Sequence, residues 1–400
     1  MVVENSRGAL FRVLEPNQHS RVTFVELFFD LVFVYAVTQI SHHLIGHFTP
    51  SGAAQTGVLF LAVWWVWVYT AWVTNWLDPE KALVRGLLFA LMLAGLVLSM
   101  TIPRAFEDRG LWFAIAYAVM QVGRTAFWLV ATPPQRSAVR RNAARILSWL
   151  SASGLLWLVG GLAEGPSRMA LWSAALTLEY ISPAVRFWVP GLGPSTVEDW
   201  MVEGGHMAER CALFIIIALG ESIVVTGATF AELDWTGASI AAFACAFIGT
   251  VAMWAVYFNR GAEAGSEMIS QSTQSGLIAR SAYTYLHMPI VAGIIVSAVA
   301  DEIVLKHPLG HTDVKTAAVT IGGPFIFLVG TILFKREVRG FLQLSHGAGL
   351  LALAGLGWFA TELSPLIFSA LTSALLVIVA LWETLSLRVK PEPHASATSA

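Results

Sequence analysis

Glu26 and Asp30 stand four residues apart in FVELFFDLVFVYAVTQISHH, residues 24–43, a run otherwise fit for hydrocarbon. At that spacing two helical side chains share a face, and carboxylates so close favour keeping one proton between them. The pair could bind a cation or pass a proton. Held by an arginine of a neighbouring helix, it would instead be a structural clamp. The stretch EGGHMAERCALFIIIALGESIVVTGATF, from Glu203 to Phe230, places His206, Glu209 and Arg210 on one face in the same way. Its apolar part is interrupted halfway by Gly220-Glu221-Ser222, which puts Glu221 near a bilayer midplane. An ionisable side chain there marks a functional site, the plain alternative being a neutral carboxyl that packs two helices. Gly220 and Gly227 are expected to let another backbone approach.

Arg124, beside Gln121, is the one basic residue inside an apolar run and calls for a carboxylate partner: Glu26, Asp30, Glu179 or Glu221. Arg85 and Arg280 would serve acids at the cytoplasmic side. Other chemistry is weakly supported. Glu203 and His206 form one E-x-x-H, whereas a di-metal carboxylate site takes that motif from two helices, so no metal is expected. His42 and His43 are adjacent and point apart, and His307 and His311 flank Pro308 in a loop. Cys211 and Cys245 lie in apolar runs and suggest packing. No nucleotide-binding G-x-x-x-x-G-K-[ST], Ser-His-Asp set, C-x-x-C or haem-ligand arrangement occurs. Neither an enzyme nor a cofactor is expected.

The elements that must carry these residues are membrane helices. The 400 residues are 56% hydrophobic and 12% charged, with a mean hydropathy of +0.67; soluble domains carry about 25% charged residues. Twelve spans are expected, in an all-α membrane bundle: 22–46, 54–76, 83–104, 110–132, 145–163, 169–189, 208–230, 237–258, 277–300, 315–334, 341–361 and 364–387. A charge at the centre of a membrane helix costs roughly 2.5–3.5 kcal/mol, and each Leu, Ile, Phe or Val returns about 0.3–0.6. The apolar residues of span 1 offset about one charge, so Glu26 and Asp30 must face a partner, water or the interface. Trp64, Trp65 and Trp67 fall mid-span and should pack between helices.

The first span is long enough to remain uncleaved. With the N-terminus in the cytoplasm, inside segments collect 18 Lys and Arg and outside segments 5, so the positive-inside rule puts both termini in the cytoplasm. The chain divides into a cytoplasmic segment (1–21), a first six-helix half (22–190), a second (198–388) and a polar tail expected to be disordered (389–400). The halves echo each other in order: Glu26 with Glu209, WWVWVYTAW with MWAVYFN, LVRG with LIARS, VGRTAFW with VGTILFK. Six spans is an even number, so such repeats would be parallel, related by an axis along the membrane normal.

VELFFDLVFVYAVTQISHHL, WWVWVYTAWVTNWLDPE, QVGRTAFW and GGHMAERCALFIIIALGESIVVTGATF resemble the signature segments of the bacterial low-temperature-requirement A family, over most of residues 20–390. The resemblance implies a polytopic protein of the bacterial inner membrane and carries architecture rather than mechanism. Phe28-Phe29-Asp30 is also similar to the Phe-Ser-Asp first helix of a lysosomal and bacterial potassium-channel family. Leu213-Phe214 stand where a second acid would be needed, which speaks against a two-filter channel. The expected function is a secondary transporter or ion or proton pathway using Glu26, Asp30, Arg124, His206, Glu209, Arg210 and Glu221. A non-transporting sensor or assembly factor with structural charges is the first alternative, and a cation channel the second. The expected partners are the lipid bilayer and a small solute or ion; a net charge of −2 gives no reason to expect nucleic acid.

Overall fold

An apolar segment in hydrocarbon has no water for its peptide groups, and a helix satisfies them within the segment. All twelve apolar runs are helical in the computed structural model, which describes residues 10–12, 21–196, 198–200, 202–259, 261–272 and 274–388. The expectations for the tail at 389–400 and for most of 1–21 fall outside these residues. Thirteen helices follow in order: α1 (Phe24–Gly46), α2 (Pro50–Trp76), α3 (Ala82–Thr101), α4 (Gly110–Ala131), α5 (Ser137–Leu162), α6 (Gly165–Ile181), α7 (Gly204–Ala231), α8 (Gly237–Phe258), α9 (Gly261–Gln271), α10 (Ser275–Lys306), α11 (Val314–Arg339), α12 (Leu344–Trp358) and α13 (Pro365–Arg388). Starts are capped by polar side chains as a helix N-terminus requires: Thr49 accepts from the Gly52 N–H, Asp313 from the Thr316 N–H.

Ten of these helices are long and apolar enough to cross a membrane. The expected spans at 169–189 and 341–361 are shorter, as α6 with 17 residues and α12 with 15. Pro183 follows α6 directly and cannot continue it, and α12 gives way to a 3₁₀ turn at Ala360–Glu362. The eleven-residue α9 was not expected and lies between α8 and α10 in the chain. Outer faces carry exposed Leu31, Leu93, Val224, Phe247, Ile367 and Leu385, a surface suited to lipid tails rather than water.

The connections gather at two ends. At one, Arg12 bonds the Thr74 carbonyl, Arg145 pairs with Asp199 at 3.3 Å, and Arg280 bonds the Pro183 carbonyl. At the other, Arg168 reaches the Ala105 carbonyl, and the Thr312 N–H bonds the Leu363 carbonyl. The short α6 and α12 thus still run from end to end. Exposed Trp112, Trp235 and Trp358, all beside the second end, fit an interfacial aromatic belt.

In the first half α1 packs on α2 and α3, α3 on α4, α4 on α5, α5 on α6, and α6 returns to α2. In the second α7 packs on α8 and α10, α10 on α11, α11 on α12, α12 on α13, and α13 returns to α8. The halves meet where α1 touches α7 and α10, and α2 touches α7.

α10 and α11 are held close by small residues. A Cβ at Gly293 would overlap the Phe327 backbone, and one at Gly323 the Ser297 backbone. Gly293→Ala and Gly323→Ala are therefore expected to destabilise the protein by about 1–3 kcal/mol, read from thermal unfolding in one detergent. Gly220 and Gly227, expected to allow close approach, have open space around a built Cβ. They are not packing glycines, and Gly220→Ala should leave the transition unchanged or raise it slightly. Equal losses at Gly220 and Gly293 would contradict this assignment.

Candidate functional site

Span 1 begins later than its hydropathy suggested, and Glu26 sits in the first turn of α1. Its Oε2 accepts from the Thr23 N–H at 2.9 Å, satisfying a helix-end donor. Oε2 also takes the Arg12 guanidinium at 3.1 Å, while Oε1 meets His206 Nε2 at 3.0 Å and the Arg210 guanidinium at 3.4 Å. One turn on, Asp30 Oδ1 accepts from Arg210 Nη2 at 2.8 Å and from the Trp67 indole at 2.9 Å. His206, Arg210, Glu26 and Asp30 are all fully buried.

The imidazole is fixed from both sides. Asn75 donates its amide to His206 Nδ1 at 3.2 Å, and Nε2 lies 3.0 Å from Glu26 Oε1 and 3.1 Å from Arg12 Nη2. Asn75 also exchanges hydrogen bonds with the backbone of Glu203, both at 2.8 Å. Glu203 itself caps α7 by accepting from the Gly205 and His206 N–H groups, so its E-x-x-H relation to His206 is a cap. Among the described residues no group of three or more His, Cys, Asp or Glu is placed to hold a metal ion. The whole is a clasp tying the N-terminal segment, α1 and the end of α2 to the start of α7, across the seam of the halves. Glu209 shares the α7 face but turns to the start of α1, accepting from the Val22 N–H at 3.1 Å.

Arg124 finds no carboxylate, contrary to expectation. One Nη donates to the Val66 carbonyl at 3.1 Å and the Thr70 hydroxyl at 3.0 Å, the other to Gln121 Oε1, and the guanidinium lies 5.5 Å from the Tyr69 ring centroid. A five-residue π turn, Val119–Gly123, precedes it and carries Gln121. Gln121 then donates to Glu179 at 3.3 Å, so the charge is relayed through an amide rather than paired directly. Glu179 accepts from Tyr117 at 2.5 Å, from Trp157 at 3.1 Å and from Ser153. Arg85 and Arg280 reach the carbonyls of Glu80 and Pro183, not acids.

Glu221 stands apart. It is buried where α7 faces α1 and α10, and neither carboxylate oxygen makes a hydrogen bond of standard geometry among the described residues; the nearby Ser41 hydroxyl donates to the Val37 carbonyl at 3.3 Å. Its polar neighbours are Ser41 of α1 and Glu302 of α10.

Between the halves lies a cavity of ≈ 40 Å³ lined by Trp65, Tyr69, Trp72, Trp128, Arg280 and Thr284 among others. Among the described residues the indole N–H groups of Trp65 and Trp128 have no hydrogen-bond partner, while the Tyr69 hydroxyl stands beside that of Ser182. A second π turn, Ala279–Tyr285 in α10, supplies Arg280 and Thr284 to its wall; such turns recur at functional sites. No carboxylate lines it, so it suits a small ligand with apolar surface and hydrogen-bond acceptors. Trp64, Trp65 and Trp67 are buried between helices, as their mid-span position suggests.

The sequence reading overlooked the ion pair of Lys335 with Glu383, at 2.6 Å in the second half. Its signal was a lone glutamate in LLVIVALWETL.

An all-helical bundle with lipid-facing surfaces and a buried charge clasp defines a polytopic membrane protein. Residues 21–381 match the model of the Bacterial low temperature requirement A protein (LtrA), and the chain belongs to that family. It is similar to the uncharacterized protein RA0937 of Rhizobium meliloti (strain 1021), 40% identical over 376 residues, covering 94% of this chain and 91% of that protein. No solved structure matches it.

Proposed function

We propose that the chain is a secondary transporter of the bacterial inner membrane, made of two parallel six-helix repeats, in which Glu221 takes up and releases a proton. The observation that carries this is the contrast between Glu221 and the other buried acids. Glu26, Glu179 and Glu383 each accept two or more hydrogen bonds or ion pairs, whereas Glu221 accepts none that meets hydrogen-bond geometry. A buried polar group without a partner is costly and calls for a role beyond packing. Glu302, its acidic neighbour, has one oxygen on Lys306 at 2.7 Å and the other unpartnered, which supplies a second station for a proton. The aromatic cavity at the seam is the solute site in this reading. Glu26 and Asp30 hold the halves together.

The shared order of helix packing in the two halves supports the repeat, as do Glu179 and Glu383 on the sixth membrane helix of each half, both bonded to residues of the fourth. The charge bias gives the orientation: a reporter fused after Arg141 is expected to be active only on the cytoplasmic side, and periplasmic activity would reverse the topology.

The test of Glu221 compares Glu221→Gln with Glu221→Leu in the purified full chain, followed by infrared difference spectroscopy over pH. A carboxyl band that titrates in the parent and is missing in the Gln variant, at unchanged thermal stability, is the expected result. The competing reading, a sensor or assembly factor whose charges are structural, draws on the clasp. It expects no titrating band from Glu221, and that result would remove the transport mechanism.

A further inference from the structure

α10 continues past the run that hydropathy marks and carries Asp301 into a cleft between α8, α11 and α13. There the structure leaves a cavity of ≈ 20 Å³, room for one water-sized occupant. Asp301 lines it with the hydroxyls of Ser297, Thr320, Ser369, Thr372 and Ser373.

Three of these hydroxyls have already committed their protons. Ser297 donates to the Gly293 carbonyl at 2.9 Å, Thr372 to the Phe368 carbonyl at 2.9 Å, and Ser373 to the Cys245 carbonyl at 3.2 Å. A hydroxyl that donates its one proton offers only lone pairs elsewhere. Of the other two, Ser369 is buried in the same wall, and Thr320 Oγ1 is buried with no hydrogen-bond partner among the described residues. Pro324, also in the wall, lacks an N–H, so the Thr320 carbonyl one turn earlier loses its usual helix partner. Lys306, the closest lysine in sequence, is held by Glu302.

We infer that this cleft binds a desolvated monovalent cation, with Asp301 supplying the charge and Thr320 and its neighbours supplying oxygen lone pairs. The Asp301 carboxylate and the oxygen lone pairs around it set the sign of the ligand. An anion would face the Asp301 carboxylate and three hydroxyls whose protons are already committed. A single proton needs one acceptor besides Asp301, not several. A divalent cation of the magnesium or calcium kind takes more carboxylate or water oxygens than one Asp and this volume provide. Helix interruptions that free carbonyls are a recurring way for membrane proteins to coordinate sodium. Gly249 keeps α8 against the cleft, since a Cβ there would lie 2.9 Å from Ser373 Oγ.

The inference concerns binding and stands apart from the transport reading, so an ion that binds without flux leaves it intact. The experiment is thermal unfolding of the full chain in detergent, in sodium chloride against choline chloride at equal ionic strength. A ligand of the folded state raises Tm with the logarithm of its concentration. Sodium is expected to do so for the parent and for Glu221→Gln. Asp301→Asn should weaken the apparent affinity at least about tenfold, the order seen for losing groups that tune a metal site. Should Asp301→Asn fail to fold, Thr320→Val, which keeps shape and removes the hydroxyl, should weaken the response. Equal Tm in sodium and choline for the parent would overturn the proposal. So would an undiminished sodium response in both variants, or a response to magnesium alone.

Discussion

Arg210→Met is expected to destabilise the folded protein by about 3–5 kcal/mol, the cost of breaking a buried ion pair from one side. Arg210 is fully buried and is the link between Asp30, at 2.8 Å, and Glu26, at 3.4 Å. Without it Glu26 keeps Arg12 and His206, but Asp30 keeps only the Trp67 indole, and its Oδ2 already lacks a partner. The loss is thus an unpaired carboxylate in a low-dielectric seam. Arg210→Lys should fall between, because an ammonium cannot span two carboxylates as a guanidinium does. Adding Asp30→Asn to Arg210→Met should restore part of the loss, a coupling that a double-mutant cycle measures. Unfolding of Arg210→Met at the parent's midpoint would show that the clasp does not hold α1 to α7.

The clasp residues were conspicuous in the sequence because charge inside an apolar run needs compensation, and the i, i+4 spacing of Glu26 and Asp30 fixes their common face. Their partners were less visible. That Arg210 rather than Arg124 meets these acids depends on which helices touch, α1 with α7 rather than with α4. Arg124 was read as needing a carboxylate because a full opposite charge is the simplest compensation. A π turn, one carbonyl, one hydroxyl, one amide and a tyrosine face do the same with dipoles. Asp301 escaped notice for a different reason. Two consecutive acids after an apolar stretch read as the exit of a helix, yet α10 runs on past them to Lys306. The serines and threonines that line the cleft with Asp301 are unremarkable one at a time, and only packing brings three helices' hydroxyls together. The same holds for the aromatic cavity, whose walls come from residues as distant as Trp65 and Thr284. Helix number and order survive such blindness because hydrophobic length is a property of each segment alone.

Lys335 and Glu383 offer the second large effect, and a test of what a buried pair contributes. Lys335 Nζ donates to both Glu383 oxygens, at 2.8 and 2.6 Å, and to the Val256 carbonyl at 2.6 Å, which joins α11, α13 and α8. Lys335→Met is expected to cost about 3–5 kcal/mol, since Glu383 would be left buried with Arg339 at 3.6 Å as its described partner. Glu383→Leu should cost a similar amount, because the ammonium would keep the Val256 carbonyl and a 3.4 Å approach to His346 but no counter-charge. The double variant should behave differently. Exchanging both members of a buried pair for apolar residues of similar volume is often neutral or stabilising, so Lys335→Met with Glu383→Leu should recover most of either loss. The first half makes the comparison sharper. Glu179 holds the corresponding helix with Tyr117, Trp157, Ser153 and Gln121, all neutral donors and no cation. No single cation can be removed there to strand it, and Tyr117→Phe, which takes away one neutral donor and keeps the ring, should cost only about 1–3 kcal/mol, the range for an unsatisfied buried acceptor. Chemical unfolding of the four variants in one detergent decides the matter: a double variant as unstable as the sum of its parts would mean that Lys335 and Glu383 act separately.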